Sequence, residues 1–217
     1  MFHFFAAAVV LLVSYFLGCI NGSVMTSHFI IKDDVRRHGS GNAGLTNFYR
    51  TYGAKYALIV IAIDMGKTVI AALIGGYMFD YLLHDWTLGV LLAGLGCELG
   101  HMFPVFFGFK GGKGILSGGA LVAFLDWRIA LVCWGLFILL WLLTRYVSLG
   151  SVSATASVPV TALLAFGWNW KYLVLCLILA GLILYCHRGN IVRLCKGTES
   201  KFKWHVNPIP GTDEPGK

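Results

Sequence analysis

Gly100-His101-Met102-Phe103-Pro104-Val105-Phe106-Phe107-Gly108-Phe109-Lys110-Gly111-Gly112-Lys113-Gly114 lies between two strongly apolar runs, and the rest of the chain is read outward from it. Gly108, Gly111, Gly112 and Gly114 offer backbone N–H groups unshielded by side chains, with the ammonium groups of Lys110 and Lys113 beside them. That combination is phosphate-binding chemistry at a membrane boundary. The plain alternative is an ordinary basic loop, because Gly-Lys clusters also occur without any ligand.

The flanking runs are typical of the chain. Of 217 residues, 58% are hydrophobic and 12% charged, with a mean hydropathy of +0.75. Such a chain is too apolar for a soluble domain of its size and reads as an all-α integral membrane protein. The N-terminus Met1-Phe2-His3-Phe4-Phe5 lacks the basic start of a removable leader, so the first helix is expected to stay. Six cysteines, mostly inside apolar runs and without C-x-x-C spacing, predict buried free thiols and neither a disulfide framework nor a metal site. The net charge of +7 is spread around the apolar runs, so it is read as topology and not as affinity for nucleic acid.

Crossing the hydrocarbon core takes about 20 residues, and on that measure seven segments stand out: 3–24, 53–79, 86–107, 114–125, 129–147, 152–168 and 170–187. With the N-terminus outside, alternation puts 14 of the 17 basic residues on the inner side. All the polar motifs and the C-terminus then face the cytoplasm. Segment 114–125 is short and is expected to start deep, beneath a dipping Lys-Gly-Gly-Lys loop. Segment 152–168 carries Ser153, Thr155, Ser157, Pro159 and Thr161 and is expected to be broken or interior. One polytopic domain over 1–206 and a flexible tail over 207–217, with Pro208, Pro210 and Pro215, complete the layout.

Four further constellations carry chemistry. The loop 36–50 crowds Ser40, Gly41, Asn42, Gly44, Thr46 and Asn47 between arginines; it suits a backbone nest for oxyanions with Arg50 as a bidentate clamp, or else is a flexible turn. Asp64 and Lys67, at i and i+3 within a span, are either functional or a structural ion pair. Glu98 and His101 have the same spacing; an E-x-x-H pair can bind metal, but no second such pair exists, so the two are expected to hydrogen-bond to each other. His187, Arg188, Asn190 and Arg193 follow the last span and read as substrate contacts, against the alternative of an interfacial cap. Two motifs fail: Met65-Gly66-Lys67-Thr68 lacks the first glycine of a nucleotide-binding loop at Ile61, and His28 with Asp33 matches the spacing of thioester-dependent acyltransferases without their partner motif.

Taken together, Gly39-Ser40-Gly41-Asn42-Ala43-Gly44-Leu45-Thr46-Asn47 with Arg50, Asp64 with Lys67, Gly100-His101, Phe103 to Phe106, Phe109 to Gly114, Ser148-Leu149-Gly150 and His187-Arg188-x-Asn190-Ile191-x-Arg193-Leu194 resemble the bacterial membrane glycerol-3-phosphate acyltransferases that use acyl phosphate. The resemblance covers nearly the whole chain in order. Ala43 and Leu45 stand where proline and alanine are usual, and Ile115-Leu116-Ser117 replaces a commoner Val-Ala-Thr. It implies transfer of an acyl group from acyl phosphate to the 1-hydroxyl of glycerol 3-phosphate in the bacterial inner membrane, with the site facing the cytoplasm. It further implies no cofactor, no metal and no nucleic acid partner, with activity as a monomer among membrane lipids. By resemblance Ser40, Arg50, His187 and Asn190 hold glycerol 3-phosphate. Gly41, Asn42, Gly44, Thr46, Asn47, Lys110, Gly111, Gly112, Lys113 and Gly114 bind phosphate, with Asp64, Lys67 and His101 in support. The rival class is a transporter for a phosphorylated solute, which calls for internal repeats and a midplane site; a scaffold would leave the charged motifs without a task.

Overall fold

The computed structural model describes residues 2–203, so the expected tail at 207–217 lies outside the described residues. Among these residues there are helices and no strands. The main elements are α1 (Phe2–Gly18), α2 (Gly22–Met25), α3 (Leu45–Tyr52), α4 (Ala57–Leu83), α5 (Trp86–Met102), α6 (Ile115–Leu125), α7 (Trp127–Thr144), α8 (Val147–Phe166), α9 (Trp170–Cys186) and α10 (Arg188–Cys195).

Each of the seven apolar segments reappears as helix. Among the described residues, five stretches are long and apolar enough to cross a membrane: His3–Ile31, α4, Trp86–Phe107, α7 and α8. The pair α9 and α10, bent by 63°, makes a sixth if counted as one span. The seventh, α6, has only 11 residues, about 16 Å at the 1.5 Å rise and well short of a hydrocarbon core of about 30 Å. Its start is packed inside the protein, with Gly112, Gly114 and Ser117 all buried.

Two expectations are corrected. The first span is not continuous: α1 stops at Gly18 and the chain resumes helical form at Gly22, capped by the Asn21 side chain accepting from Val24 N–H at 2.9 Å. Segment 152–168, by contrast, is neither broken nor interior. Its residues 152–166 belong to the continuous 20-residue α8, which runs through Pro159. Three hydroxyls of α8 return to their own helix, Ser151 to the Val147 carbonyl at 2.9 Å, Ser157 to the Ala154 carbonyl at 2.8 Å and Thr161 to the Ser157 carbonyl at 2.9 Å.

Helix packing in lipid depends on close backbone approach more than on water exclusion. Gly96 and Gly100, four apart on α5, lie against α1: a Cβ on Gly100 would collide with the Tyr15 carbonyl, and one on Gly96 with the Leu11 carbonyl. The lipid-facing surface is correspondingly apolar, with Leu131, Leu142, Leu143 and Leu164 exposed. Exposed Trp127, Trp168, Trp170 and Tyr81 gather where α4 and α8 end and α7 and α9 begin, as an aromatic belt does at a membrane interface. The opposite ends of α5, α8 and α9 carry the polar motifs.

Candidate active site

The first polar loop is built by its acids and amides. Asp34 accepts from Arg36 N–H at 3.0 Å and grips its guanidinium at 2.8 Å, while a second arm of Arg36 donates to the Phe107 carbonyl at 2.9 Å. The Arg36 hydrogen bonds hold the Asp34 carboxyl below the ordinary range, against the opposing effect of burial. Asp33 pairs with His38 at 2.7 Å and accepts from the Tyr52 hydroxyl at 2.9 Å, so its spacing from His28 is coincidental. Burial first, then this bond to Asp33, pushes the Tyr52 hydroxyl up.

Asn47 ties the loop together. Its amide donates to the Val35 and His38 carbonyls, both at 3.1 Å, and its oxygen accepts from Ser40 N–H at 2.9 Å. It therefore shapes the nest, and its amide hydrogens are already engaged. Gly39 has positive φ, and a Cβ there would strike the Asn47 oxygen. With the loop so fixed, Ser40, Asn42, Gly44, Thr46 and Arg50 line one cavity of about 1070 Å³; Gly41 lies on an adjoining hollow of about 310 Å³.

The Lys-Gly-Gly-Lys-Gly stretch divides in two. Gly111 N–H donates to the Met102 carbonyl at 3.2 Å and Gly112 N–H to the His101 carbonyl at 3.0 Å, satisfying the last turn of α5. Those N–H groups do not converge on an anion, contrary to expectation. Lys110 is exposed and lines neither hollow, whereas Lys113 and Gly114 line the large cavity. The Lys113 ammonium donates to Asn190 Oδ1 at 2.6 Å, joining two motifs 77 residues apart. Burial, then the charge of Arg193, pulls its pKa below the usual lysine value.

At the corner between α9 and α10, the His187 Nδ1–H donates to the Ile183 carbonyl at 2.9 Å. Since a carbonyl only accepts, this bond leaves Nε2 as the acceptor nitrogen of the neutral ring. Asn190 donates to Glu199 Oε1 at 2.7 Å, Ser148 to the same oxygen at 2.9 Å, and Arg193 Nε to Oε2 at 2.7 Å. Burial alone would raise the Glu199 carboxyl, but these hydrogen bonds and the Arg193 charge outweigh it and hold it below the ordinary range. The same segment folds over Arg50, which donates to the Ser200 carbonyl at 3.2 Å. Burial, with Arg193 acting the same way and Glu199 opposing, lowers the pKa of that guanidinium. Glu199 and Ser148 were missed as site residues; their only sequence signal is a lone acid beyond the basic motif and a serine in the Ser-Leu-Gly turn.

Asp64, Lys67 and His101 come together in the bundle. Lys67 donates to Asp64 at 2.9 Å and to the Gly18 and Ile20 carbonyls at 3.1 and 2.8 Å, and its Nζ lies 2.8 Å from His101 Nδ1. Asp64 also accepts from Gly22 N–H at 3.0 Å. The broken first span thus has a physical partner, because the groups freed at the break are satisfied by α4. His101 does not bond to Glu98, whose carboxyl is buried beside Gly114, and that expected pair is not formed. Instead His101 Nε2 sits against Gly112, where a Cβ would collide with it.

The assembled cavity has two characters. Its head carries Ser40, Arg50, Lys113, His187, Asn190 and Arg193, suited to a phosphate and a hydroxyl, and Asp64, Glu98 and His101 also line it; its shaft, walled by Leu91, Leu125, Cys133, Val158 and Cys176 from five helices, α5 to α9, is apolar. The smaller hollow shares Ser40, Asn42, Lys113, Asn190 and Arg193 with it.

Comparison with known proteins matches residues 8–197 to the family model of glycerol-3-phosphate acyltransferase. The glycerol-3-phosphate acyltransferase of Thermoanaerobacter pseudethanolicus is 40% identical over 197 residues, covering 90% of this chain and 96% of that protein. That of Finegoldia magna is 40% identical over 192 residues, covering 88% and 93%. Among solved structures, the glycerol 3-phosphate form of PlsY, an integral membrane glycerol 3-phosphate acyltransferase, superposes with a TM-score of 0.79 at 37% identity, covering 91% of this chain and 96% of that one. Its lysophosphatidic acid form gives 0.77 at 36% identity, with the same coverage.

Proposed function

This chain belongs to the glycerol-3-phosphate acyltransferase family, and from that membership we propose that it moves a fatty acyl group from acyl phosphate to the 1-hydroxyl of glycerol 3-phosphate, releasing lysophosphatidic acid and inorganic phosphate, the first step of phospholipid synthesis. The observation that carries this reading is the pair of adjoining hollows with a shared wall of Ser40, Asn42, Lys113, Asn190 and Arg193, of which the larger continues into an apolar shaft. Two phosphorylated substrates need two anion positions, and only one of them brings a hydrocarbon chain.

In the reaction, the glycerol oxygen forms a bond to the acyl carbonyl carbon, and the bond from that carbon to the phosphate oxygen breaks. Lys113 faces the charge that develops, Arg50 and Ser40 hold phosphate, and His187 Nε2 accepts from the glycerol hydroxyl and orients it. The departing phosphate takes the hydroxyl proton; a mixed anhydride has a good leaving group and asks little of a base. Direct transfer is preferred to an acyl-enzyme on Ser40, since among the described residues no imidazole is hydrogen-bonded to that serine. Membrane lipid surrounds a functional monomer in the bacterial plasma membrane, with the polar loops on the cytoplasmic side, where both substrates are supplied.

The test is phosphate release from an acyl phosphate by the purified protein. Release that depends on glycerol 3-phosphate, with acyl coenzyme A and acyl carrier protein inactive as donors, is the expected result. Equal turnover with a thioester donor would overturn the donor assignment.

A further inference from the structure

The apolar shaft has a floor, and four helices place it at the same depth. On α5, Leu91 lies ten residues before His101; on α6, Leu125 lies ten after Ile115; on α8, Val158 lies ten after Ser148; on α9, Cys176 lies eleven before His187. All eight residues line the one cavity. At a rise of 1.5 Å per residue, each wall gives about 15–17 Å between these upper lining residues, at the end of the cavity that holds the anion head, and this lower layer. Cys133 of α7 completes the layer, its thiol 3.6 Å from the Ala154 carbonyl and 3.5 Å from the Ser157 hydroxyl. Leu91 and Cys176 are fully buried, and Leu125 and Cys133 nearly so; they belong to the packed core that continues through Ile129 and Ala162. The shaft therefore ends against close-packed side chains.

We infer that Leu91, Leu125, Cys133, Val158 and Cys176 form a layer that determines acyl-chain length, stopping the methyl end of the chain. This rests on the reading that the shaft holds the acyl group. An extended chain advances about 1.25 Å per carbon, taking a C–C bond of about 1.5 Å at the tetrahedral angle. About 12 or 13 carbons then reach the floor. A longer chain has to fold within the shaft or leave it sideways, so its added methylenes gain less than those above the floor. Close packing makes the stop sharp, because interiors resist even one extra methylene. A methylene that fits or fails to fit an apolar pocket changes discrimination by about 10–200-fold.

The experiment compares kcat/KM for dodecanoyl and hexadecanoyl phosphate in the wild type, Cys176→Phe, Val158→Phe and Leu125→Ala. The two phenylalanine variants raise the floor from different helices and are expected to cut the hexadecanoyl-to-dodecanoyl ratio at least about tenfold. Leu125→Ala deepens the shaft and should raise that ratio several-fold. Ratios within about twofold of wild type in all variants that fold would overturn the inference. Product inhibition by dodecanoyl and hexadecanoyl lysophosphatidic acid reads the same ratio without any donor. If acyl phosphates yield no product while that inhibition ratio shifts as stated, the donor assignment fails and the floor stands; if the inhibition ratio stays fixed, the floor fails.

Discussion

Two clusters, each built around a lysine and a carboxylate, do opposite work in this molecule. Asp64, Lys67 and His101 are 1%, 4% and 3% exposed, and the Lys67 ammonium is bound by Asp64, His101 and two backbone carbonyls. Lys113, Asn190, Arg193 and Glu199 form a chain of side-chain bonds along a cavity wall, and Arg193 is 45% exposed. The first cluster is closed on itself and on the backbone, so it fixes helices. Both clusters border the cavity, Asp64 and His101 as well as Lys113, Asn190, Arg193 and Glu199, but the second is tied mainly side chain to side chain across distant segments, so a ligand oxygen can replace one of its partners. Saturation by backbone, more than the presence of charge, separates scaffold from site here.

The largest effect is expected from breaking the closed cluster. Asp64→Ala leaves the Lys67 charge buried without its carboxylate, which costs about 3–5 kcal/mol. For a chain of this size that is a fall in apparent Tm on the order of 10 °C. The measurement is a thermal melt in detergent, and a variant as stable as wild type would erase the distinction drawn above.

The open cluster responds in binding. Arg50→Ala should weaken glycerol 3-phosphate binding by about 2–5 kcal/mol, since a partly buried phosphate loses a bidentate charged partner. Arg50→Lys should recover only part of this, because a point charge cannot reproduce the planar fork. Both variants should melt within a degree or two of wild type. Titration of the purified variants with glycerol 3-phosphate decides it, and unchanged affinity in Arg50→Ala would remove Arg50 from the site.

How much of this was legible from the sequence follows the same division. Ser40, Arg50, Lys113, His187 and Asn190 stand in dense local motifs, and the fold brings all five to one cavity. Lys110 and Lys113 were indistinguishable, because their separation is decided by which backbone N–H groups cap α5, a tertiary matter. The break after Gly18 was invisible for a similar reason: its stabilising ammonium is 47 and 49 residues away in sequence. Ser148 and Glu199 meet across 51 residues, and a lone serine and a lone acid announce nothing until the chain folds. Glu98 and His101 share a helical spacing and still do not pair, since His101 finds stronger partners on α4. The apolar runs were legible as helices, because the composition of each run depends on no distant partner.

His187 tests the comparison most finely, since it belongs to neither cluster by bonds and yet lines the head of the cavity. Its Nδ1 proton is held by the Ile183 carbonyl, which fixes the ring and presents Nε2 as an acceptor. If Nε2 took the glycerol proton fully, an imidazolium would form on a wall already carrying Lys113, Arg50 and Arg193. A phosphate oxygen can take that proton without adding positive charge there. The expected effect of His187→Ala is therefore the smallest of the three: a raised Michaelis constant for glycerol 3-phosphate with turnover within about tenfold of wild type, the signature of lost positioning in the bound state. His187→Asn, whose amide can be oriented to accept a hydrogen bond, should recover part of the loss in the Michaelis constant. A general base would behave differently, with turnover lowered by about 10²–10⁴ and no rescue by an amide. Turnover at saturating substrate, in a variant whose melt matches wild type, separates the two, and a loss beyond about a thousandfold would assign the proton to His187.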